Sequence, residues 1–291
     1  MAETLAVGFF DGVHRGHQAI LAGATEVLTF RNHPLQVLAP ARAPRLMMTF
    51  EAREKALRAH GARAVTALDF TRELAAMPPE VFARAYLAGR VVRCGANWHF
   101  GAGGKGDAAF LRAHGYSVEV VPAVTYAGAV ISSTRIRAAL EAGEVAAANA
   151  MLSRPFSFSG VRFCGKGEGA RLGFPTINVR PTTLFIKLPL GVYAVTVAGA
   201  RAVMNFGRAP TFGAKAWNEP VAEIHFVDPL PPRLDECETL EMDVCAFLRP
   251  ERRFASLDDL RAAIAADVVK IKSCVSEPFL RLIRGNSTAH A

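Results

Sequence analysis

Gly8-Phe9-Phe10-Asp11-Gly12-Val13-His14-Arg15-Gly16-His17 is the stretch on which the reading of the first half turns. It leaves an apolar run, Leu5 to Phe10, that reads as a strand, and passes directly into a helical pattern over Gly16 to Ala24. A strand, a glycine-bearing turn and a helix form the opening unit of a parallel sheet. In such sheets ligands bind at the carboxyl ends of the strands, where helix N-terminal amides face anions. His14 and His17 are three residues apart, so the first helical turn projects them to one side. Gly16 between them leaves room for a phosphate to reach the backbone. Two imidazole donors beside free amides suit the stabilisation of charge growing on phosphorus, with no covalent nucleophile. Taken alone, the two histidines fit an ordinary capped surface helix as well. The ten-residue string is more specific than either.

Outward from this stretch, strand and helix alternate. Strands are predicted at Val27 to Phe30, Ala64 to Leu68, Val91 to Cys94 and Ser117 to Val121, and helices at Phe50 to His60, Pro79 to Ala88 and Ala108 to His114. Alternation of this kind implies a Rossmann-like parallel sheet covered on both faces. The segment Ile131-Ser132-Ser133-Thr134-Arg135-Ile136-Arg137 ends a strand and opens a pattern that is helical through Leu152. Ser133 reads as its N-cap, and capping hydroxyls, amides and Arg137 on the first turn are the groups that clamp a triphosphate. Gly101-Ala102-Gly103-Gly104-Lys105-Gly106 matches GxGxxG, but a lone match late in the domain is a weak signal, and no Gly-Lys is followed by Ser or Thr at Walker spacing.

After Arg154-Pro155 the texture changes to short β-rich runs: Phe156 to Phe163, Gly191 to Val197, Ala202 to Phe206, Val221 to Val227 and Leu240 to Phe247. Glycine and proline punctuation between them predicts an antiparallel barrel or sandwich, and Ser256 to Ile271 predicts a closing helix capped by Ser256. Gly165, Gly167, Gly169 and Gly173 place four glycines in nine positions, a loop able to curl amides round phosphate oxygens. Thr176 and Asn178 follow on an extended segment, two apart and so on one face, and both offer hard oxygen donors suited to Mg²⁺ beside ATP. Alternation in Val221 to Val227 sets Glu223 and His225 opposite Ala222, Ile224 and Phe226, and a carboxylate at Glu223 could accept a hydroxyl proton during phosphoryl transfer.

The 291 residues are 51% hydrophobic and 21% charged, which excludes a disordered or fibrous class. Apolar runs stay far short of the roughly 18 residues a spanning helix needs, so no membrane partner is expected. A formal charge of +8 points to anionic partners. Its 27 arginines and seven lysines are scattered among acidic residues, with none of the aromatic–basic interleaving of an RNA platform, so phosphate-bearing small molecules are expected and nucleic acid is not. Five cysteines at irregular spacing give neither a zinc nor a disulfide pattern. Met1 to Phe9 has no signal-peptide character, and a reducing cytoplasm is the expected compartment.

The strings GFFDGVHRGH, Gly95-Ala96-Asn97-Trp98-His99-Phe100-Gly101 and ISSTRIR, together with the Gly165 to Asn178 run, Asn205-Phe206-Gly207-Arg208-Ala209-Pro210-Thr211 and Leu248 to Phe254, resemble the bacterial bifunctional riboflavin kinase/FMN adenylyltransferase (FAD synthetase) family. The resemblance is collinear from about residue 5 to 272. It implies an α/β plus β chain: a Rossmann-like nucleotidyltransferase domain over 1–153, a riboflavin kinase antiparallel β-barrel with a terminal helix over 154–273, and a flexible tail over 274–291. It also implies two reactions, riboflavin and ATP to FMN, then FMN and ATP to FAD and pyrophosphate. By the same resemblance His14 and His17 assist attack on the α-phosphorus, with Gly8, Phe9, Asp11 and Gly16 in their loop. Ser133, Thr134 and Arg137 hold ATP phosphates, and Asn97 lies in the flavin-nucleotide pocket. In the second half Thr176 and Asn178 ligate magnesium, Glu223 is the base for the 5′-hydroxyl, and Asn205 lies in the binding turn. Three features depart from the family pattern. Only eleven residues separate His17 from Thr29, Ala209 stands at an arginine position, and Leu230-Pro231-Pro232-Arg233 replaces a Leu-Tyr-Gly segment. The first of these keeps a kinase-only chain as the alternative.

Overall fold

The computed structural model describes residues 3–164, 175–207, 220–231, 234, 238–252 and 254–275. The chain divides into two compact units, residues 1–135 and 136–291.

In the first unit β1 (Thr4–Val7), β2 (Glu26–Phe30), β3 (Ala64–Leu68), β4 (Val91–Gly95) and β5 (Ser117–Val121) form one parallel sheet in the order β3-β2-β1-β4-β5. The order reverses direction at β1, so the topological switch point lies between β1 and β4. Helices α1 (Arg15–Leu21), α2 (Pro34–Leu38), α3 (Phe50–Ala59), α4 (Arg72–Ala76), α5 (Pro79–Tyr86) and α6 (Ala108–Ala113) connect the strands. Two cores flank the sheet: Leu5, Val7, Leu28 and Val92 pack against Phe82, Leu87 and Leu111, while Ala6 and Val27 pack with Phe10, Leu21 and Leu57. The first strand is shorter than its apolar run. Phe10 takes a φ of 59°, outside any strand, because its ring turns back into the second core.

The glycine-rich run at 101–106 serves packing. A Cβ at Gly101 would sit 2.7 Å from Pro79 of α5 and one at Gly106 would sit 2.6 Å from the Phe100 ring, so the glycines allow close backbone approach. A two-stranded ribbon, β6 (Thr125–Tyr126) and β7 (Ala129–Val130), precedes α7 (Ser133–Glu141). The pattern read as one helix to Leu152 is two. Gly143, with φ of 78°, ends the first through Gly143 N–H to Leu140 O and Glu144 N–H to Ala139 O, and α8 (Val145–Leu152) begins anew.

The second unit is a closed antiparallel barrel, β10 (Gly191–Val197), β11 (Ala200–Gly207), β12 (Val221–Phe226), β9 (Ile177–Pro181), β8 (Phe156–Phe163) and β13 (Thr239–Pro250), in that order round the barrel. β9 carries too few apolar residues to read as a strand in sequence. Inward side chains alternate along the strands, with Phe158, Tyr193, Met204, Phe206, Ile224 and Met242 all buried. The terminal helix α9 (Leu257–Cys274), capped by Ser256, covers the outer face: Ile271 and Val275 pack on Val192, Ala194, Val203 and Cys245, and Arg249 makes a paired salt bridge to the buried Asp267. The helix therefore runs past Ile271, and residues 276–291 of the expected tail lie outside the described residues.

The Asn149 amide joins α8 to the barrel. Its Nδ2 donates to Val244 O at 2.9 Å, and its Oδ1 accepts from Phe156 N–H at 2.8 Å. Asn149→Ala leaves both backbone groups without this partner and should destabilise the second unit by about 1–3 kcal/mol, measured by urea unfolding.

Candidate active sites

At the carboxyl end of β1 the chain makes a strained turn. Phe10, Gly12 and Val13 all have positive φ (59°, 82° and 40°), and for a β-branched residue such as Val13 this is an outlier that the surroundings must enforce. Four contacts do so. The buried Asp11 carboxylate accepts the Met47 N–H through both oxygens, at 3.0 and 3.2 Å. Phe9 O accepts from Thr29 Oγ1 at 3.2 Å and from Arg53 Nη1 at 3.1 Å. Val13 O accepts from Gln18 Nε2 at 2.9 Å. The short connection after His17 thus still returns Thr29 to the turn.

The turn delivers two histidines to the start of α1. His14 is the N-cap: its Nδ1 accepts the His17 N–H at 3.3 Å, which fixes the ring as neutral with the proton on Nε2. The His17 ring stacks on it with centroids 3.6 Å apart and meets Phe10 edge-on at 5.3 Å. A Cβ on Gly16 would stand 3.1 Å from the His14 ring, so the absent side chain is what lets that ring lie over the helix start. His17 Nδ1 is buried and has no hydrogen-bond partner among the described residues. Burial, then the neighbouring His14 and then the Arg53 charge, push the His17 pKa well below its ordinary value.

Of the other predicted residues of this half, Ser133 meets the turn directly. Ser133 Oγ donates to Asp11 O at 2.9 Å, joining α7 to the turn, with Thr134 next to it. The cap of α7 is Ser132, whose Oγ accepts the Arg135 N–H, and not Ser133, whose hydroxyl is taken by the turn. Asn97 is exposed in the turn after β4, across the switch point from Gly8. Arg137 lies further along α7, in the second unit.

In the barrel, Asn205, Glu223 and Asn178 stand side by side on β11, β12 and β9, in register across the three strands. All three are half-buried, while Ala222, Ile224, Ile177 and Val179 on either side of them in sequence point inward. Thr176 immediately precedes β9. Gly165, Gly167, Gly169 and Gly173, the Arg208 to Thr211 part of the binding turn, and Pro232 and Arg233 lie outside the described residues. Among the described residues no group of three His, Cys, Asp or Glu could hold a metal ion. An oxygen pair such as Thr176 and Asn178 fits Mg²⁺, which keeps most of its ligands as water and phosphate.

Three neighbours were given no role from sequence. Arg53 is buried beneath the turn. His225 is 3.0 Å through Nδ1 from Pro175 O, tying β12 to the segment that carries Thr176. The Glu251 carboxylate crowds Gly207, two residues past Asn205, closely enough that a Cβ there would collide with it, and burial raises its pKa. A signal for Arg53 existed: it occupies the apolar stripe of α3 with Phe50 and Leu57, at helical spacing.

A family model for FAD synthetase matches residues 2–135, and one for riboflavin kinase matches residues 152–275. Full-length relatives described as bifunctional riboflavin kinase/FMN adenylyltransferase include those of Escherichia coli (33% identical, 90% of each chain), Pseudomonas fluorescens (32%, 92% of this chain and 91% of the relative) and Bacillus subtilis (30%, 91% and 90%). A solved chain described as a macrolide-efflux protein from Streptococcus pneumoniae superposes with a TM-score of 0.78 at 27% identity, over 91% of this chain and 92% of that one. Among the described residues no helix is long and apolar enough to cross a membrane.

His17 provides a test of the first site. Because its folded pKa lies below the ordinary 6.5, the unfolded chain takes up the proton first as the pH falls. Stability of the first unit should therefore decline as the pH drops below 6.5 and level off below the folded value. His17→Gln should flatten that decline. The His17 Cε1–H resonance, followed between about pH 4 and pH 8, should titrate well to the acid side of an ordinary histidine.

Proposed function

The chain belongs to the bifunctional riboflavin kinase/FMN adenylyltransferase family, and from that membership we propose that it phosphorylates riboflavin to FMN with ATP and then adenylylates FMN to FAD. The tandem match of both family models, in order along one chain, carries this reading. It favours two activities over a kinase-only chain, since the first half is matched throughout residues 2–135. The functional division falls near residue 153, a reading supported by the riboflavin kinase match that begins at residue 152. The enzyme acts in the cytoplasm, a reading supported by the free thiols of Cys94, Cys164 and Cys245.

In the adenylylation half an FMN phosphate oxygen attacks the α-phosphorus of ATP and the bond to pyrophosphate breaks, with no covalent enzyme intermediate. His14 and His17, stacked at the N-terminus of α1, donate hydrogen bonds to the α-phosphoryl oxygens as charge accumulates there. The N–H of a neutral imidazole is a hydrogen-bond donor that stabilises this growing charge without proton transfer. Backbone amides of the turn from Gly8 through Phe9 and Asp11 to Gly16 face the same phosphates. Ser133 and Thr134 support the ATP phosphates from α7, Arg137 adds charge, and Asn97 contacts the flavin nucleotide.

In the kinase half Glu223 accepts the proton of the riboflavin 5′-hydroxyl as that oxygen takes the γ-phosphoryl group from ATP. Asn205 and Asn178, in register on either side, orient the two substrates on the outer face of the barrel. The loop with Gly165, Gly167, Gly169 and Gly173 wraps the phosphates. Thr176 and Asn178 would hold Mg²⁺, which when bound supplies charge neutralisation at the transferring phosphoryl group. His225 keeps the Thr176 segment in place through Pro175 O.

Incubation with riboflavin and Mg-ATP should yield FMN and then FAD, read by chromatography; a folded sample that makes neither refutes the proposal. His17→Asn should cut FAD formation from supplied FMN by about 10²–10⁴-fold and leave FMN formation intact, and Glu223→Gln should do the reverse.

A further inference from the structure

Arg53 has no part in the chemistry above, yet its side chain heads the fully buried side chains by size and is only 2% exposed. Its guanidinium binds three backbone carbonyls: Phe9 O through Nη1 at 3.1 Å, and Phe30 O and Arg31 O through Nη2 at 2.6 and 3.1 Å. Phe30 is the last residue of β2 and Arg31 the next, while Phe9 lies two residues past β1, so one side chain on α3 spans the carboxyl ends of two parallel strands. The Phe9 ring lies 4.1 Å from its carbon and the Phe50 ring 5.4 Å. Its Nε has no partner, and no carboxylate of a described residue lies within ion-pair distance.

Fold stability alone does not account for such a residue. A buried cation without a paired anion costs several kcal/mol relative to water, and an aliphatic side chain at the same helical position would fill the space between Phe50 and Leu57 without that penalty. We infer that Arg53 is the positioning residue of the adenylylation site: by clamping Phe9 O to the end of β2 it fixes the strained turn that sets His14 and His17 over the start of α1. The inference rests on the assignment of that turn to adenylyl transfer.

Two consequences separate positioning from mere support. The first is geometric. Phe9 O is shared with Thr29, and without the guanidinium the turn has one anchor fewer on the residue that precedes its first left-handed position. The second is electrostatic. The titratable and charged groups around the guanidinium are Asp11 and His14 from the turn, His17 from α1, Glu51 on α3 and Arg31 at the end of β2. The Asp11 and Glu51 charges favour its protonated form, and burial brings its pKa only down to about 10, so the cation persists at neutral pH. That charge disfavours protonation of His17 and leaves a positive potential where a polyphosphate docks.

The test uses the full-length chain, with riboflavin phosphorylation in the same sample as an internal control of folding. Arg53→Met keeps the bulk and removes the donors and charge, while Arg53→Lys keeps the charge and one point of attachment. Arg53→Met should reduce FMN adenylylation by about 100-fold, mainly in kcat, with kinase activity unchanged, and Arg53→Lys should recover about tenfold of that loss. The His17 Cε1–H midpoint, measured without substrates, should move to higher pH in Arg53→Met and stay near wild type in Arg53→Lys. Wild-type adenylylation in either variant would overturn the inference, as would a His17 midpoint unmoved in Arg53→Met. If Arg53→Met does not fold, Arg53→Lys decides through its kcat. A parallel His17→Asn variant keeps the underlying assignment separate: full activity there refutes the histidine role, while the His17 midpoint still reports whether Arg53 positions the turn.

Discussion

The turn that carries His14 and His17 hangs from the carbonyl of Phe9. A parallel sheet leaves its strand-end carbonyls pointing out of the ladder, and buried carbonyls need donors. Here the donors are a side-chain hydroxyl from β2 and a guanidinium from α3, both converging on one oxygen. With that oxygen held, Phe10 and Val13 can be driven into left-handed backbone conformations that cost of order 1–3 kcal/mol each. The Asp11 carboxylate on Met47 N–H and the Gln18 amide on Val13 O close the remaining freedom. Strain and clamps together explain why the helix starts at Arg15 with a histidine as its cap, in place of the usual serine or aspartate. An imidazole cap stabilises the helix through Nδ1 and also gives the His17 ring a surface to stack on.

The barrel reaches the same end by different means. Closure removes every edge, so the strands cannot slip, and the period of two along each strand assigns one face to the core and turns the other outward. Asn205, Glu223 and Asn178 owe their adjacency to register alone. Beyond this row α9 closes the outer face, pinned by Ile271, Val275 and the Arg249 to Asp267 pair, so the polar row occupies ground the helix leaves uncovered. In both halves the candidate site residues sit on one side of an element whose other side is packed. That is how side chains are held to tolerances that catalysis requires.

How much of this was legible depended on the range of the signal. The alternation of strands and helices, the barrel runs, the Ser256 cap and the face carrying Glu223 are local patterns of period 3.6 or 2, and each appears where the pattern places it. The misses are tertiary. β9 has only Ile177 and Val179 as inward residues and reads as a strand only once β8 and β12 flank it. Ser132 and Ser133 are equivalent caps in sequence, and the choice between them falls to Asp11 O, more than a hundred residues away in the chain. The helix break at Gly143 was available as a glycine and was overridden by the apolar periodicity around it. The GxGxxG run shows the converse: Gly101 and Gly106 answer to Pro79 and the Phe100 ring, packing neighbours that a motif match does not reveal.

The composition gains a meaning it lacked as a bare charge. An excess of arginine over lysine in a chain of +8 suggested phosphate ligands, but much of that arginine is used internally as a donor to carbonyls. Arg53 holds Phe9, Phe30 and Arg31; Arg93 holds Ala19 O while pairing with Glu119; Arg135 holds Ala129 O; Arg112 holds Val118 O. Others form paired contacts with carboxylates, Arg201 with Asp228 and Arg249 with Asp267. Five donors in a rigid plane let one arginine satisfy several acceptors at a strand end, a task the single ammonium of lysine performs poorly. A positive net charge is then a by-product of carbonyl-satisfying arginines as much as a lure for anions. The two roles meet at Arg53, where the donor that satisfies strand-end carbonyls is also the buried charge beneath the histidine turn.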